Sequence, residues 1–222
     1  MHGYMGYILL IVATLAIGGL SSWYVNHTLK RYEKVPNSRG ATGADVARGM
    51  LSYYGIGGVP VQPGGHGQDF FDPRTNSITL SPEAYQGRSI TALATACHEV
   101  GHACQYAQGY VPMKIRTAIV PVVNLASNAW MFLFLIGIVM QIAGLVDLAI
   151  VLYAVSIVFA VVTLPVEFDA SRRAMAYMSS AGMTQDEQNG SFAVLRACAL
   201  TYVAAALVSV LQLLYLLSQR QD

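Results

Sequence analysis

The sequence has little charge, and this deficit narrows the class of protein. Only 11% of its 222 residues are charged and 55% are hydrophobic, whereas soluble domains carry roughly 25% charged residues. This composition points to a membrane protein. The formal net charge is +1, and there is no dense basic run, so we expect no nucleic-acid partner.

Cysteine is also scarce. The three cysteines are Cys97, Cys104 and Cys198, an odd number that leaves at least one of them outside any disulfide within the chain. Cys97 and Cys104 are seven residues apart, so on a helix they share a face, almost opposite the face that carries His98 and His102. We expect them to be small buried apolar residues rather than metal ligands or a disulfide.

Long apolar runs predict about four transmembrane helices. Residues 1–25 contain the first, which we interpret as an anchor. A cleavable signal peptide would have a basic start and a shorter apolar core, of about 7–15 residues. Residues 118–165 contain one charge, Asp147, and are too long for one crossing, so they predict a helical hairpin. Residues 194–218 form the last span.

The basic residues predict the orientation of these spans. Nine of the 13 Lys and Arg residues lie between the first and second spans. Three more lie in or beside the segment between the third and fourth spans, and one lies beyond the fourth. Because Lys and Arg are concentrated on the cytoplasmic side, residues 26–117 and 166–193 are predicted to share the cytoplasmic face, with both termini outside.

Residues 26–117 predict a small α+β unit. A helix at 43–54 is capped by Thr42, and the stretches VPVQ, QDFF and NSITL read as short strands. Ser81 and Pro82 then begin a second short helix. A unit of this size gains stability from a membrane or a metal.

Residues 89–107 predict a buried helix that carries the HExxH pattern His98-Glu99-Val100-Gly101-His102. The two histidines are four residues apart, so both can reach one ion from the same helix face, and imidazole suits zinc. Glu99 can take a proton from a zinc-bound water. The alternative is a chance placement of core histidines, but the order of all three residues on a predicted helix favours a metal site.

A catalytic zinc usually has three protein ligands. No histidine follows His102 in the chain, so the third ligand is expected to be an acid. Glu167 and Asp169 follow the third span and are predicted to lie on the same face of the membrane as the HExxH pattern. Pro165 predicts a helix break just before them. They point to different sides of a helix, so we expect Glu167 to bind the metal and Ser171 to hydrogen-bond nearby. The alternative is that Glu167 pairs with a neighbouring arginine.

Three other features have a candidate role and a plainer alternative. His66 can stabilise an oxyanion by hydrogen bonding, or be a loop histidine without a role. Asn124 can line a substrate cleft, or hydrogen-bond between transmembrane helices. The strand at Ser77–Leu80 can pair with an extended substrate, or simply pack in its sheet.

Several stretches together resemble one family. HEVGHACQ, the preceding FDPRTNSITLS and the later LPVEFDASRRA are similar to the YugP-like neutral zinc metallopeptidases of bacterial membranes. TGADVARGML and RTAIVPVVNLASN extend the resemblance over most of the chain. It implies a zinc-dependent metalloendopeptidase in the bacterial cytoplasmic membrane, with a zincin-like catalytic domain at 26–117 and the third metal ligand in 166–193.

A more distant similarity is to membrane zincins with a Glu-Phe-x-Ala-Asp motif. In those proteins the last Asp steadies a zinc ligand. This sequence has Ser171 at that position, which leaves Asp169 as a candidate for the same task.

The sequence therefore predicts a multi-pass α-helical membrane protein that hydrolyses peptide bonds in peptides or membrane proteins at the cytoplasmic membrane surface. A non-catalytic zinc-stabilised scaffold or adaptor is the alternative, but such a site does not need Glu99. An intramembrane protease is opposed by the polar surroundings of residues 81–117. A metal transporter is disfavoured because no span carries several ionisable residues.

Overall fold

The computed structural model describes residues 2–218, with side chains from Met5 onward. Two parts of the predictions lie outside the described residues. They are residue 1 of the predicted first span and Arg220, which was used to predict the orientation. The elements are α1 (His2–Glu33), α2 (Gly43–Tyr53), β1 (Val61–Pro63), β2 (Phe70–Asp72), β3 (Ser77–Leu80), α3 (Pro82–Tyr85), α4 (Ile90–Ala107), α5 (Val111–Val139), α6 (Ala143–Ser180) and α7 (Gln185–Ser218).

Four helices in the described part of the chain are long and apolar enough to cross a membrane: Met5–Glu33, Val111–Val139, Ala143–Ser180 and Gln185–Ser218. The predicted mostly helical fold, with four candidate spans and a small sheet, is confirmed. Ile115–Leu164 forms one compact unit with α1 up to Ser22 and α7 from Thr201. The finer domain boundaries stay predictions.

The second compact unit joins Trp23–Lys114 with Pro165–Leu200. Its core contains buried side chains from α2, the sheet, α4 and α6, with Met50, Ile78 and Leu93 at most 2% exposed. The predicted cap of α2 is confirmed, because the Thr42 hydroxyl accepts from the Asp45 amide and the Asp45 carboxylate accepts from the Thr42 amide.

The predicted helix break at Pro165 is wrong. Helix α6 continues through Pro165 to Ser180, although proline removes one backbone hydrogen bond from a helix interior. Beyond it, Val166, Ala170, Ala174 and Met178 are fully buried at a spacing of four residues, which is one face of a helix. Packing of this face outweighs the local cost of the proline.

The sheet has the order β1-β3-β2, so β3 is its central strand. It pairs in parallel with β1 and antiparallel with β2, and Ile78 is opposite both Val61 and Phe71. All four residues of Ser77–Leu80 are buried. Of the two alternatives for this strand, pairing with an extended substrate is excluded, because both edges of β3 are already paired with β1 and β2. Ordinary packing in the sheet is the alternative that the structure supports.

Candidate metal centre

Helix α4 places the HExxH pattern against α6. The helix begins after Ser89, whose hydroxyl accepts from the Ala92 amide. Within the pattern, Gly101 allows a close approach of backbone to backbone: a Cβ atom at this residue would lie 2.5 Å from the Ala170 carbonyl oxygen and 2.9 Å from its Cα. The missing side chain therefore brings α6 near enough for its acidic residues to reach the histidines of α4.

Replacing Gly101 with Ala is expected to destabilise the protein, although alanine favours helices over glycine by about 1 kcal/mol. The added methyl would force two backbones apart, and overpacking of this kind costs typically 1–3 kcal/mol. We expect a lower midpoint of thermal unfolding and a lower zinc affinity. The matched control is Gly19→Ala, because a Cβ there meets nothing within 4 Å. Equal stability of the two variants would contradict the close approach.

Three side chains converge between α4 and α6. Glu167 Oε2 lies 3.1 Å from His98 Nε2 and 3.7 Å from His102 Nε2, and the ligand atoms of all three residues lie within 4.8 Å of one another. Zinc–ligand bonds of about 2.1 Å in a tetrahedral arrangement place ligand atoms about 3.4 Å apart. The two measured distances bracket that value, so the residues fit a zinc ion.

Hydrogen bonds fix which nitrogen of each imidazole faces Glu167. His98 Nδ1 lies 3.2 Å from the Ser171 hydroxyl, and His102 Nδ1 lies 3.0 Å from Gln105 Oε1. Gln105 Oε1 can only accept, so His102 Nδ1 donates to it; the Ser171 hydroxyl can accept in the same way from His98 Nδ1. With both Nδ1 atoms as donors, neutral imidazoles would present their Nε2 lone pairs to the carboxylate. These lone pairs and the carboxylate repel one another unless a proton or a cation lies between them, which is the arrangement that a metal site requires.

Asp169 is connected to His102 through Gln105. The Gln105 side chain is fully buried, and its Nε2 donates to Asp169 Oδ2 at 3.0 Å and to the Val166 carbonyl at 2.7 Å. This pattern leaves Gln105 Oε1 as the acceptor for His102. Asp169 therefore does not contact the imidazoles directly but orients one of them through an amide.

The two neighbouring arginines bind Asp169 rather than Glu167. Arg172 donates to Asp169 Oδ1, and Arg173 Nε donates to Asp169 Oδ2 at 2.6 Å. Glu167 is only 2% exposed, and its Oε2 contacts the two histidines. The arginine pairing that was the alternative for Glu167 is therefore made by Asp169 instead. Glu167 faces the two histidines, as expected for the third ligand.

Glu99 is held on the side of α4 that faces β2. It is 7% exposed, and its Oε2 accepts from the backbone amide of Phe71 at 2.9 Å. Burial lowers the pKa of His102, but the hydrogen bond to Glu167 and the negative charges of Glu99 and Glu167 outweigh it, so the net direction is upward. The charge of Glu99 is thus near enough to act on the same site.

Cys97 and Cys104 are buried and free, as predicted. Burial raises the pKa of Cys104 to about 11 and raises that of Cys97 further. Both are therefore neutral thiols at physiological pH.

His66 and Asn124 have partners outside the converging group. The His66 ring is 85% exposed, and its Nδ1 lies 2.5 Å from Glu83 Oε1. Asn124 is exposed in α5, in the other compact unit, and its carbonyl accepts from the Asn128 side chain at 2.8 Å. Their candidate roles stay predictions.

Sequence reasoning did not assign a role to Gln105. It lies three residues after His102, a spacing that places the two side chains on the same face of a helix, so a signal was present in the sequence. Its importance depends on Asp169, 64 residues later in the chain, and that contact is visible only in the folded structure.

The fold and the converging side chains together indicate a class: a membrane protein with a largely buried group of two histidines and a glutamate that could hold a metal ion. A family model described as "Putative neutral zinc metallopeptidase" matches residues 7–221, and the chain belongs to this family. The chain is 44% identical over 212 residues to "Putative membrane protease YugP" of Bacillus subtilis (strain 168). The match covers 93% of this chain and 94% of that protein. No solved structure matches the chain.

Proposed function

We propose that the protein is a zinc-dependent metalloendopeptidase in which His98, His102 and Glu167 hold the metal. The observation that carries this proposal is the convergence of two Nε2 atoms on one carboxylate oxygen, at 3.1 and 3.7 Å. A buried Glu99 beside the same histidines adds the acid that hydrolysis needs. Membership of a family described as zinc metallopeptidases supports the same assignment.

Each residue has a separate task in this proposal. Zinc, when bound, supplies Lewis-acid polarisation of the scissile carbonyl and lowers the pKa of a water molecule. Glu99 takes the proton from the attacking water and passes it to the leaving amine. The Phe71 amide holds Glu99 Oε2, so in this proposal Oε1 is the oxygen that takes the proton. Ser171 and Gln105 hydrogen-bond to the Nδ1 atoms and hold the two rings with Nε2 toward Glu167.

We place this chemistry in a zincin-like domain on the cytoplasmic face of the bacterial inner membrane, with both termini outside and peptides or membrane proteins as substrates. The Lys and Arg distribution supports this orientation. The two segments predicted to share that face also form one compact unit, Trp23–Lys114 with Pro165–Leu200. Labelling of single introduced cysteines from each side of the membrane tests the orientation.

Removal of the metal tests the proposed activity. The purified full-length protein, loaded with zinc in detergent, is expected to hydrolyse fluorogenic peptides. A chelator should reduce the rate to background, and added zinc should restore it while magnesium should not. Hydrolysis that continues at the full rate after measured zinc removal would contradict the proposal.

A further inference from the structure

A cavity of about 280 Å³ lies beside the N-terminal half of α4. It is lined by Thr91 and Thr95 of α4, by the last two turns of α1, and by Asp69 and Ser81 from segments next to the sheet. The Thr91 hydroxyl donates to the Leu29 carbonyl at 2.9 Å, which holds α1 against α4 here. Small-molecule sites have roughly 300–1,000 Å³, so this cavity suits one long side chain better than a cofactor. We call it the α1–α4 cavity.

Helix α4 connects the α1–α4 cavity with the candidate metal centre along one face. Within residues 90–105, all of them described, three residues are only partly buried: Thr91, Thr95 and His98. Their spacing of four and three residues places them on the same side of the helix. Thr95 and His98 are about 4.5 Å apart along the helix axis, because each residue rises 1.5 Å. The accessible face of α4 that includes His98 therefore continues into the cavity.

The strand side of the α1–α4 cavity leads to Glu99. Asp69 directly precedes β2, and two residues later the Phe71 amide donates to Glu99 Oε2 at 2.9 Å. Two residues of extended chain span about 7 Å. Helix and strand thus independently place the cavity about 5–10 Å from the side chains of the proposed reaction. Because an extended peptide covers about 3.3 Å per residue, this distance corresponds to the second or third residue from the cut.

The charges of the α1–α4 cavity favour a basic occupant. Among the described residues of its lining, carboxylates outnumber ammonium groups by three to one. Lys30 and Glu33 are one turn apart on α1 and balance each other, and the exposed Glu83 already lies beside a histidine. Asp69 is half-buried, and its Oδ1 accepts from the Ser81 amide at 2.8 Å. Since a carboxylate accepts up to about four hydrogen bonds, Asp69 is held in place and can still bind a cation.

We propose that the α1–α4 cavity binds a Lys or Arg side chain of the substrate through Asp69, on the second or third residue from the cleaved bond. This inference rests on the proposed peptidase activity and specifies its substrate class. Hydrogen bonds to charged groups contribute enough to change an affinity by about tenfold or more. We therefore expect about a tenfold preference for a basic residue over a neutral one of similar length.

The test uses fluorogenic peptides with Arg, Gln, Leu or Glu at the second or third position from the cut, on either side. The wild-type protein should have about a tenfold higher kcat/KM for the Arg than for the Gln peptide at one of these positions. Asp69→Asn retains an acceptor for the Ser81 amide and removes the charge, so it should reduce the preference to within about twofold of none. Asp186→Asn, at an exposed acid of α7, should leave the preference unchanged.

A reversal of charge tests the position of the cavity independently. Thr95→Lys adds an ammonium group on the α4 side and should make the Glu peptide a better substrate than the Arg peptide. Zinc content and the midpoint of thermal unfolding show whether each variant has folded. An unchanged Arg preference in the folded Asp69→Asn and Thr95→Lys proteins would overturn the proposal, and so would the absence of any Arg preference in the wild type.

A binding measurement separates this inference from the proposed activity. The zinc-loaded Glu99→Gln protein should bind a fluorescent Arg-containing peptide about tenfold more tightly than its Gln counterpart. Asp69→Asn in the same background should remove the difference. If the wild type cleaves nothing but the difference is found, the peptidase proposal fails and the binding of a basic side chain stands. Equal binding of the two peptides would overturn the role of the cavity.

Discussion

Replacing Glu99 with Gln is expected to lower kcat/KM for peptide hydrolysis by about 10²- to 10⁴-fold, the contribution of a positioned general base. The amide has nearly the shape of the carboxylate and can still accept the hydrogen bond from the Phe71 amide. It cannot accept a proton from water. Because Glu99 is not a metal ligand in this account, zinc content should equal that of the wild type.

The control for this prediction is Glu83→Gln. Glu83 is an exposed acid of the same compact unit, and its carboxylate lies beside His66, outside the converging group. We expect its activity to lie within about twofold of wild type, since exposed substitutions have small effects. Full activity in a folded, zinc-loaded Glu99→Gln protein would show that another group is the base.

Replacing Glu167 with Gln should lower zinc affinity by roughly 100-fold or more. Residues that only hydrogen-bond to a ligand contribute about 10- to 100-fold, so a direct ligand should lie at the upper end of this range or beyond it. The variant removes the negative charge between the two Nε2 atoms and retains both imidazoles. Competition with a chromogenic chelator measures the affinity.

Asp186→Asn is the matched control, because Asp186 is an exposed acid near the start of α7. It should leave zinc affinity unchanged. Wild-type affinity in Glu167→Gln, combined with a large loss in Asp169→Asn, would reverse the assignment of the third ligand. A loss in both would be consistent with the path from Asp169 through Gln105 to His102.

Features determined by nearby residues could be predicted from the sequence. Thr42 and Asp45 cap α2 within a single turn, and the four-residue spacing of His98 and His102 requires only that α4 be helical. Residues two apart point to different sides of a helix, which is why only one of Glu167 and Asp169 could be expected to face the histidines. The four candidate spans follow from the length and apolar character of their runs.

Features determined by packing could not be predicted in this way. The continuation of α6 through Pro165 depends on a buried face that contacts the rest of its compact unit. The central position of β3 depends on pairing with strands on both sides, although its residues alone suit an edge as well. Likewise, the turn chemistry around the strands does not show which of them faces Glu99.

X-ray absorption spectroscopy at the zinc edge of the wild-type protein tests the central claim most directly. We predict one zinc per chain, with two imidazole rings, oxygen in the remaining positions, and bond lengths of about 2.0–2.2 Å. In the Glu167→Gln variant, the contribution of oxygen ligands to the zinc absorption spectrum should fall. The number of imidazole ligands should stay at two. A sulfur ligand at about 2.3 Å, a single imidazole, or no bound zinc when the metal is supplied would contradict the site described by His98, His102 and Glu167.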